Sequence, residues 1–254
     1  YAAMQVKSAA EAGKHAAGEN WLENMWLDLK DSFDVNFMQE GRWKYLANGF
    51  LVTVEVSFFS VLLGILMGFV VAVIRATHDK TGNFRFLNAL CKLYLTVIRG
   101  TPVVVQLLII YFVIFGTVDV SKVLVAVVAF GFNSGAYVAE IIRGGIMAID
   151  KGQFEAGRSL GLNYMTTMVV IIIPQAIRAV LPALGNEFIM LLKDTSLITV
   201  IGGKELLYAA QGIMNRTYEA MFPLFGVALI YLVLVMIFTW LLAKFERRLA
   251  QSDR

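Results

Sequence analysis

The chain has 254 residues, 58% of them hydrophobic and only 16% charged, with 18 Phe, 11 Met and a formal net charge of +3. Soluble domains average about 45–50% apolar and about 25% charged residues. That balance, with the apolar residues gathered in long uncharged runs, excludes a soluble domain and predicts an all-α integral membrane protein. The run 220–243 has 24 residues without a charge, about 36 Å as a helix against a hydrocarbon core of about 30 Å. A single cysteine, Cys91, excludes an intramolecular disulfide and a Cys-based zinc site. The two histidines, His15 and His78, lie in polar segments, so no intramembrane His is available as a metal ligand or general base. No metal site, no cofactor bound by this chain and no nucleic-acid partner are expected. The phosphate-binding pattern G-x-x-x-x-G-K-[ST] is missing, so ATP chemistry would need another chain.

In chain order, residues 1–45 form a polar segment. The first 46 residues hold seven carboxylates against five Lys/Arg, a local net charge of −2. Within it Trp21, Leu22, Met25, Trp26, Leu29 and Phe33 recur at helical spacing beside Glu23, Asp28 and Asp31. That stripe fits an amphipathic helix on the membrane surface, with Trp rings at headgroup level, equally with a helix packed on a partner. The first span is expected at about 47–74, interrupted only by Glu55, with Ser57, Ser60, Gly64 and Gly68 permitting close helix packing. A basic loop over 75–92 follows (Arg75, Lys80, Arg85 and Lys92 against Asp79). The second span, 93–115, is broken by a kink at Arg99-Gly100-Thr101-Pro102, and the third, 123–142, carries Glu140. After the polar stretch 143–161, the run 165–177 is too short to cross and meets Pro174. It reads as a short interfacial helix before a fourth span at 176–197. The last span is 223–243, with a tail at 249–254.

Five spans put the two ends on opposite sides. Placing the loop 75–92 (+3), the stretch 143–161 (+1) and the basic end after 243 (+2) inside leaves the acidic N-terminus (−2) outside, as the positive-inside rule asks. The N-terminus is therefore expected outside and the C-terminus in the cytoplasm of a multi-pass membrane protein.

The stretch 150–161 reads as a short helix (153–160) stopped by Gly161, a normal helix C-cap residue, with a second apolar helix running to Pro174. Tied at both ends to membrane helices, a short helix can dock in a groove on a partner and pass on rigid-body motion. On shape alone, a re-entrant or interfacial loop fits equally. Glu155-Ala156-Gly157, Gly161, Ile171 and Pro174 fall in the register E-A-A-x-x-x-G, nine residues, I-x-L-P. With these residues the sequence resembles the membrane subunits of binding-protein-dependent ABC importers, departing at Gly157 and Ile173. Ile98-Arg99-Gly100-Thr101-Pro102 with Gln106, Gly135-Ala136-Tyr137-Val138-Ala139-Glu140, Pro174-Gln175-Ala176-Ile177-Arg178 and Leu192-Lys193-Asp194-Thr195-Ser196-Leu197 narrow the resemblance to the polar amino-acid permeases. It runs from about Leu46 to Arg248.

The resemblance implies a type I importer permease fold of five spans in a bacterial cytoplasmic membrane, paired with a second permease chain, identical or not. It further implies two ATPase subunits that bind ATP and Mg, an extracytoplasmic binding protein, and a polar amino acid as cargo. The ATPase-coupling contacts carried over by position are Gln153, Glu155, Ala156, Gly157 and Gly161.

Ionisable groups in mid-membrane cost about 2.5–3.5 kcal/mol on insertion scales and are functional suspects. Glu140 shares a face with Tyr137 and Arg143; it either lines the pathway or pairs with Arg143. Glu55 either faces the pathway or meets Arg99 or Arg178. Asn186, Glu187, Lys193 and Asp194 sit on the helix that the resemblance places beside the pathway, with internal pairing as the alternative. Arg99 reads as a structural residue that snorkels or bonds carbonyls freed at the kink. The competing function is an ion-coupled secondary transporter or channel working through Glu55 and Glu140; the odd span count and the lack of an internal repeat speak against it.

Overall fold

The computed structural model describes residues 21–251. Every described regular element is helical. The amphipathic stripe near the N-terminus forms α1 (Trp21–Phe33), whose Trp21, Met25, Trp26 and Phe33 stay exposed. Trp21, Met25 and Leu29 share a groove with Met221 and Phe222 at the start of the last span. A π turn (Asp34–Met38) and a 3-10 turn (Gln39–Gly41) then redirect the backbone, and Glu40 takes a left-handed φ of 55°. The buried Arg42 closes this corner by donating to the Val35 carbonyl and pairing with Glu40 at 3.3 Å.

Helix α2 (Trp43–Thr81) has 39 residues, about 58 Å at ~1.5 Å per residue, so it outruns a hydrocarbon core of about 30 Å at both ends. It lies against the third span, α5 (Lys122–Ala148), which Ser121 caps by accepting from the Leu124 amide at 3.2 Å. The small residues of α2 explain how closely the two pack. A Cβ on Gly68 would stand 2.6 Å from Val138 Cγ1, and one on Gly64 would stand 2.8 Å from Ser134 Oγ. Such small-residue seams are how membrane helices bring backbones together. The third span is 61% buried over its most apolar window and the last span only 17%, which makes α5 the hub and the last span the outer wall.

The second crossing is not a straight helix at 93–115. It is a bent pair, α3 (Arg85–Gly100) and α4 (Val103–Ile109, extended by a π turn to Ile114), with 108° between the arms. Two arms at that angle cannot both stand along the membrane normal. Pro102 has no N–H to continue α3 and pushes Thr101 into extended backbone, observed at φ −123°, ψ 146°. The carbonyls freed by the break go to buried Gln106, whose Nε2 donates to Ile98 O (2.7 Å), Thr101 O (3.1 Å) and Thr101 Oγ1 (2.8 Å). Asn133 of α5 donates back to Gln106 Oε1 at 3.0 Å.

After α6 (Lys151–Ser159) and the single turn α7 (Tyr164–Thr167), the chain differs again from the expected pattern. The separate interfacial helix and fourth span merge into one helical stretch, Tyr164–Ile201, made of α7, a π turn (Met168–Ile172), α8 (Ile173–Asp194) and a 3-10 end (Thr195–Ile201). The reason is the π turn: the Ile173 amide reaches back to Met168 O, and Pro174 enters at the start of the resumed helix, where a missing N–H costs least. A further helix, α9 (Leu206–Thr217), stands before the last span α10 (Met221–Gln251). Counting the bent pair as one crossing gives five spans.

The two larger apolar cores lie one toward each end of the hub. Val56, Val61, Leu107, Val125, Phe130, Leu191 and Ile198 fill one, and Ala72, Val138, Ile142, Ile146, Ile172 and Val180 fill the other.

Candidate functional site

The coupling candidates fall on α6 and its exit. Asp150 caps the helix by accepting from the Gly152 amide at 2.6 Å, and Gly161 ends it at φ 75°, a left-handed conformation that costs glycine little. The Leu162 amide then closes on Gly157 O at 3.0 Å. Gly157 is buried because the helix lies directly on Thr167. A Cβ there would stand 2.7 Å from Thr167 Cγ2 and 2.8 Å from Oγ1, so the sequence departs from the alanine of the motif where an alanine has no room. Gln153 Oε1 accepts from Gln175 Nε2 at 3.2 Å. The short helix is therefore fastened at two points to the stretch that becomes the fourth span.

Its other face is open. Gln153, Glu155 and Ala156 are exposed, and the Glu155 carboxylate has no hydrogen bond or ion pair among the described residues. A groove lined by Thr81, Lys151, Phe154, Glu155, Arg158 and Tyr164 runs along one flank. Leu160, which the sequence reading passed over, projects from the end of the helix with 75% of its surface exposed. An apolar knob beside an unpaired carboxylate suits a protein groove better than lipid or water. Its signal in sequence was a leucine immediately before the stop glycine.

At the same end of the molecule an ionic chain ties the first span to the third. Glu140 accepts from Arg75 through Oε1 and from Arg143 through Oε2 (3.3 Å), and Arg143 approaches Asp79 at 3.8 Å. Of the two readings of Glu140, pairing with Arg143 is the geometry observed, with Arg75 as a second cation that sequence spacing did not reveal. Tyr137 lies one turn back on the same face. The Arg99 guanidinium stands 5.5 Å from the Tyr137 ring centroid, within the range of a cation–π contact. Arg99 thus stacks at the bend, and Gln106 is the residue that takes the freed carbonyls.

The other charged candidates do not gather into one cluster. Glu55 lies exposed in an apolar groove between the first and third spans, with Phe59, Leu62, Leu66, Leu124 and Val127. Along α2 it is 20 residues from Arg75, the partner of Glu140, or about 30 Å at ~1.5 Å per residue. The two glutamates therefore belong to opposite ends of the membrane. On α8, Asn186 and Lys193 are exposed on one face with Met190, while Glu187 is buried beside Ser134 and Asp194 is half-buried. Only Asn186 and Lys193 of that group are open to a pathway or a partner. Among the described residues no group of three or more His, Cys, Asp or Glu could hold a metal ion.

Comparison with known proteins bears on this arrangement. The family described as "Binding-protein-dependent transport system inner membrane component" matches residues 60–251. The chain is 38% identical over 191 residues to the glutamine transport system permease protein GlnP of Escherichia coli (strain K12), covering 74% of this chain and 87% of that protein. It is 37% identical over 211 residues to the arginine transport system permease protein ArtQ of Bacillus subtilis (strain 168), covering 82% and 94%. Among solved structures, the crystal structure of an amino acid ABC transporter with histidines matches with a TM-score of 0.74 and 41% identity, over 81% of this chain and 94% of that one. Five crossings, a fastened short helix between the third and fourth of them, and these matches lead to one conclusion: the chain belongs to the inner-membrane permease components of binding-protein-dependent ABC transport systems.

Proposed function

We propose that this permease moves polar amino acids into the cell, driven by ATP that binds with Mg on a separate ATPase, and that α6 is its coupling helix. The observation that carries the coupling assignment is the two-sided nature of α6. One side is fastened to Gln175 and Thr167, and the other offers Glu155, Ala156 and Leu160 to a partner. A movement of the ATPase is then delivered to the base of the fourth span as a rigid displacement. Two ATPase subunits would each take one such helix from two permease chains paired around a central path. An extracytoplasmic binding protein would deliver the amino acid. The charge distribution, with +3 and +1 on the loops beside α6 and −2 at the N-terminal segment, supports an inside location for α6 and an outside N-terminus. Relatives whose names specify glutamine and arginine transport support a polar amino acid as cargo.

The ion-coupled alternative works through Glu55 and Glu140, and their separation of about 30 Å along a helix excludes a direct proton or ion hand-over between the two. The test is a gentle-detergent pull-down of tagged protein from its native cells with the stoichiometry of co-eluting chains. A P-loop ATPase at one copy per permease, lost in the Glu155→Ala/Gly161→Val double variant, is the expected result. A stable, transport-active complex lacking any ATPase would overturn the proposal.

A further inference from the structure

At the end of the molecule opposite α6, helix α9 is held by an unusual anchor. Glu205, at its N-cap, is 0% exposed and has no cationic partner among the described residues. Its carboxylate accepts from the Leu207 amide (2.8 Å), the Tyr208 amide (2.7 Å), the Tyr231 hydroxyl of the last span (2.7 Å) and the Thr199 hydroxyl. The first span presses on the same point, since a Cβ on Gly49 would stand 2.8 Å from the Glu205 carbonyl oxygen. Gly49 and Arg75 are 26 residues apart on α2, about 39 Å, so α9 and the coupling helix lie beyond opposite faces of a core about 30 Å thick.

The charges around α9 are sorted. Three nearby carboxylates are engaged within the chain: Glu205 as above, Glu219 with Asn36 Nδ2 at 2.5 Å, and Glu40 with Arg42 at 3.3 Å, although Glu40 also acts electrostatically on Arg216. The cations next to those acids point outward. Lys204 and Arg216 are exposed, and neither has an ion pair among the described residues. Together with Tyr45, Asn48, Tyr208 and Gly212 they line one groove. Arg216 is set in place there. It donates to the Tyr45 hydroxyl at 2.8 Å and its guanidinium stands 4.9 Å from the Tyr45 ring centroid. A stacked, hydrogen-bonded guanidinium loses little freedom on meeting a carboxylate, and aromatic residues with Arg are what interface hot spots are made of.

We propose that the groove between Tyr45, Lys204, Tyr208 and Arg216 is the docking seat for an acidic lobe of the extracytoplasmic binding protein. This inference rests on the importer reading and on the orientation with α9 outside. It commits the groove to a carboxylate-bearing protein surface. Arg216 near the end of α9 and Lys204 just before its cap flank a helix clamped by three other segments, which gives the partner a fixed register. Glu205 links that seat to the first span, the end of the fourth and the last.

The test uses the complete permease–ATPase complex in nanodiscs of phosphatidylcholine alone and of phosphatidylcholine with phosphatidylglycerol, titrated with its solute-binding protein and read by ATP hydrolysis. In Lys204→Glu/Arg216→Glu, the binding-protein concentration for half-maximal stimulation should rise at least tenfold. A binding protein with surface carboxylates changed to Lys should recover most of that loss. Tyr45→Phe, which keeps the ring and removes only the hydrogen bond to Arg216, should raise the same concentration twofold to threefold. For the unaltered complex the concentration should rise with ionic strength, as screened charge attraction requires. Half-stimulation within twofold of the unaltered complex for the double variant overturns the proposal. So does loss of the second permease copy on sizing, which would make the groove a subunit interface, or a defect seen only with anionic lipid, which would make it a headgroup site. If the unaltered complex hydrolyses ATP but ignores the binding protein, the groove proposal fails while the ATPase-coupling reading stands; if no ATPase assembles, it is the importer reading that fails.

Discussion

The two ends of the bundle fix their carboxylates by opposite means. At the end carrying α6, Glu140 and Asp79 alternate with Arg75 and Arg143, and these side chains are partly open to solvent. At the other end Glu205 is fully enclosed and neutralised by dipoles alone, two amides and two hydroxyls. A buried carboxylate is costly unless its lone pairs are satisfied, and the first amides of a helix are a ready anion site. The dipole solution is rigid, because each donor is fixed by backbone or a packed ring. The ionic solution is exchangeable, because long guanidinium arms can swap carboxylates as helices shift. In the proposed cycle the coupling end has to move, and it is the end built from contacts that can re-form.

Three substitutions test this contrast, in descending order of expected effect. Glu205→Ala removes a cap worth about 1 kcal/mol and leaves buried hydroxyls unpaired at about 1–3 kcal/mol, so a loss of about 3 kcal/mol is expected, read as a drop in apparent Tm by thermal unfolding in detergent. An unchanged Tm would mean that the dipole anchor carries no stability. Next, Arg75→Ala leaves Glu140 with Arg143 as its remaining partner, and a loss of about 1–2 kcal/mol is expected for a partly buried charged pair. A double-mutant cycle with Glu140→Gln should show coupling between Arg75 and Glu140, and that coupling should shrink in high salt while the Glu205 effect does not. Equal salt sensitivity at both ends would erase the distinction. Smallest in stability is Gly157→Ala, about 1 kcal/mol from overpacking against Thr167. It should nonetheless weaken retention of the ATPase severalfold in a pull-down, with recovery in Gly157→Ala/Thr167→Ala. A single variant that retains the ATPase normally would show that the fit of α6 on Thr167 is not needed for coupling.

Much of this arrangement was legible in the sequence because it rests on long periodic signals. Long apolar runs, broken by single glutamates in the first and third, give the first, third and last spans, and Gly161 with the register around Glu155 locates α6. What was hidden depends on contacts distant in sequence or on irregular turns. Pro174 reads as a helix stop, yet the π turn at Met168–Ile172 lets the helix resume around it. Helix α9 carries a helical stripe at Leu206, Ala209, Ala210 and Ile213, but its cap is a glutamate, outside the residues usually preferred at that position. Gln106 stands in the sequence as a motif residue without a stated role, and only the 108° bend brings Ile98 O and Thr101 within its reach. The pairing of Arg75 with Glu140 spans 65 positions, beyond any helical period.

The bend has a further consequence for how the protein enters its membrane. The arm Arg85–Gly100 has 16 residues and the arm Val103–Ile114 has 12, about 24 Å and 18 Å long, each short of the roughly 30 Å that a crossing requires. Neither arm can partition as a complete span when it leaves the ribosome. The bond that completes the joint comes from Asn133, 27 positions after Gln106. The bend closes locally through Gln106, and it gains its last hydrogen bond only when the third span stands beside it.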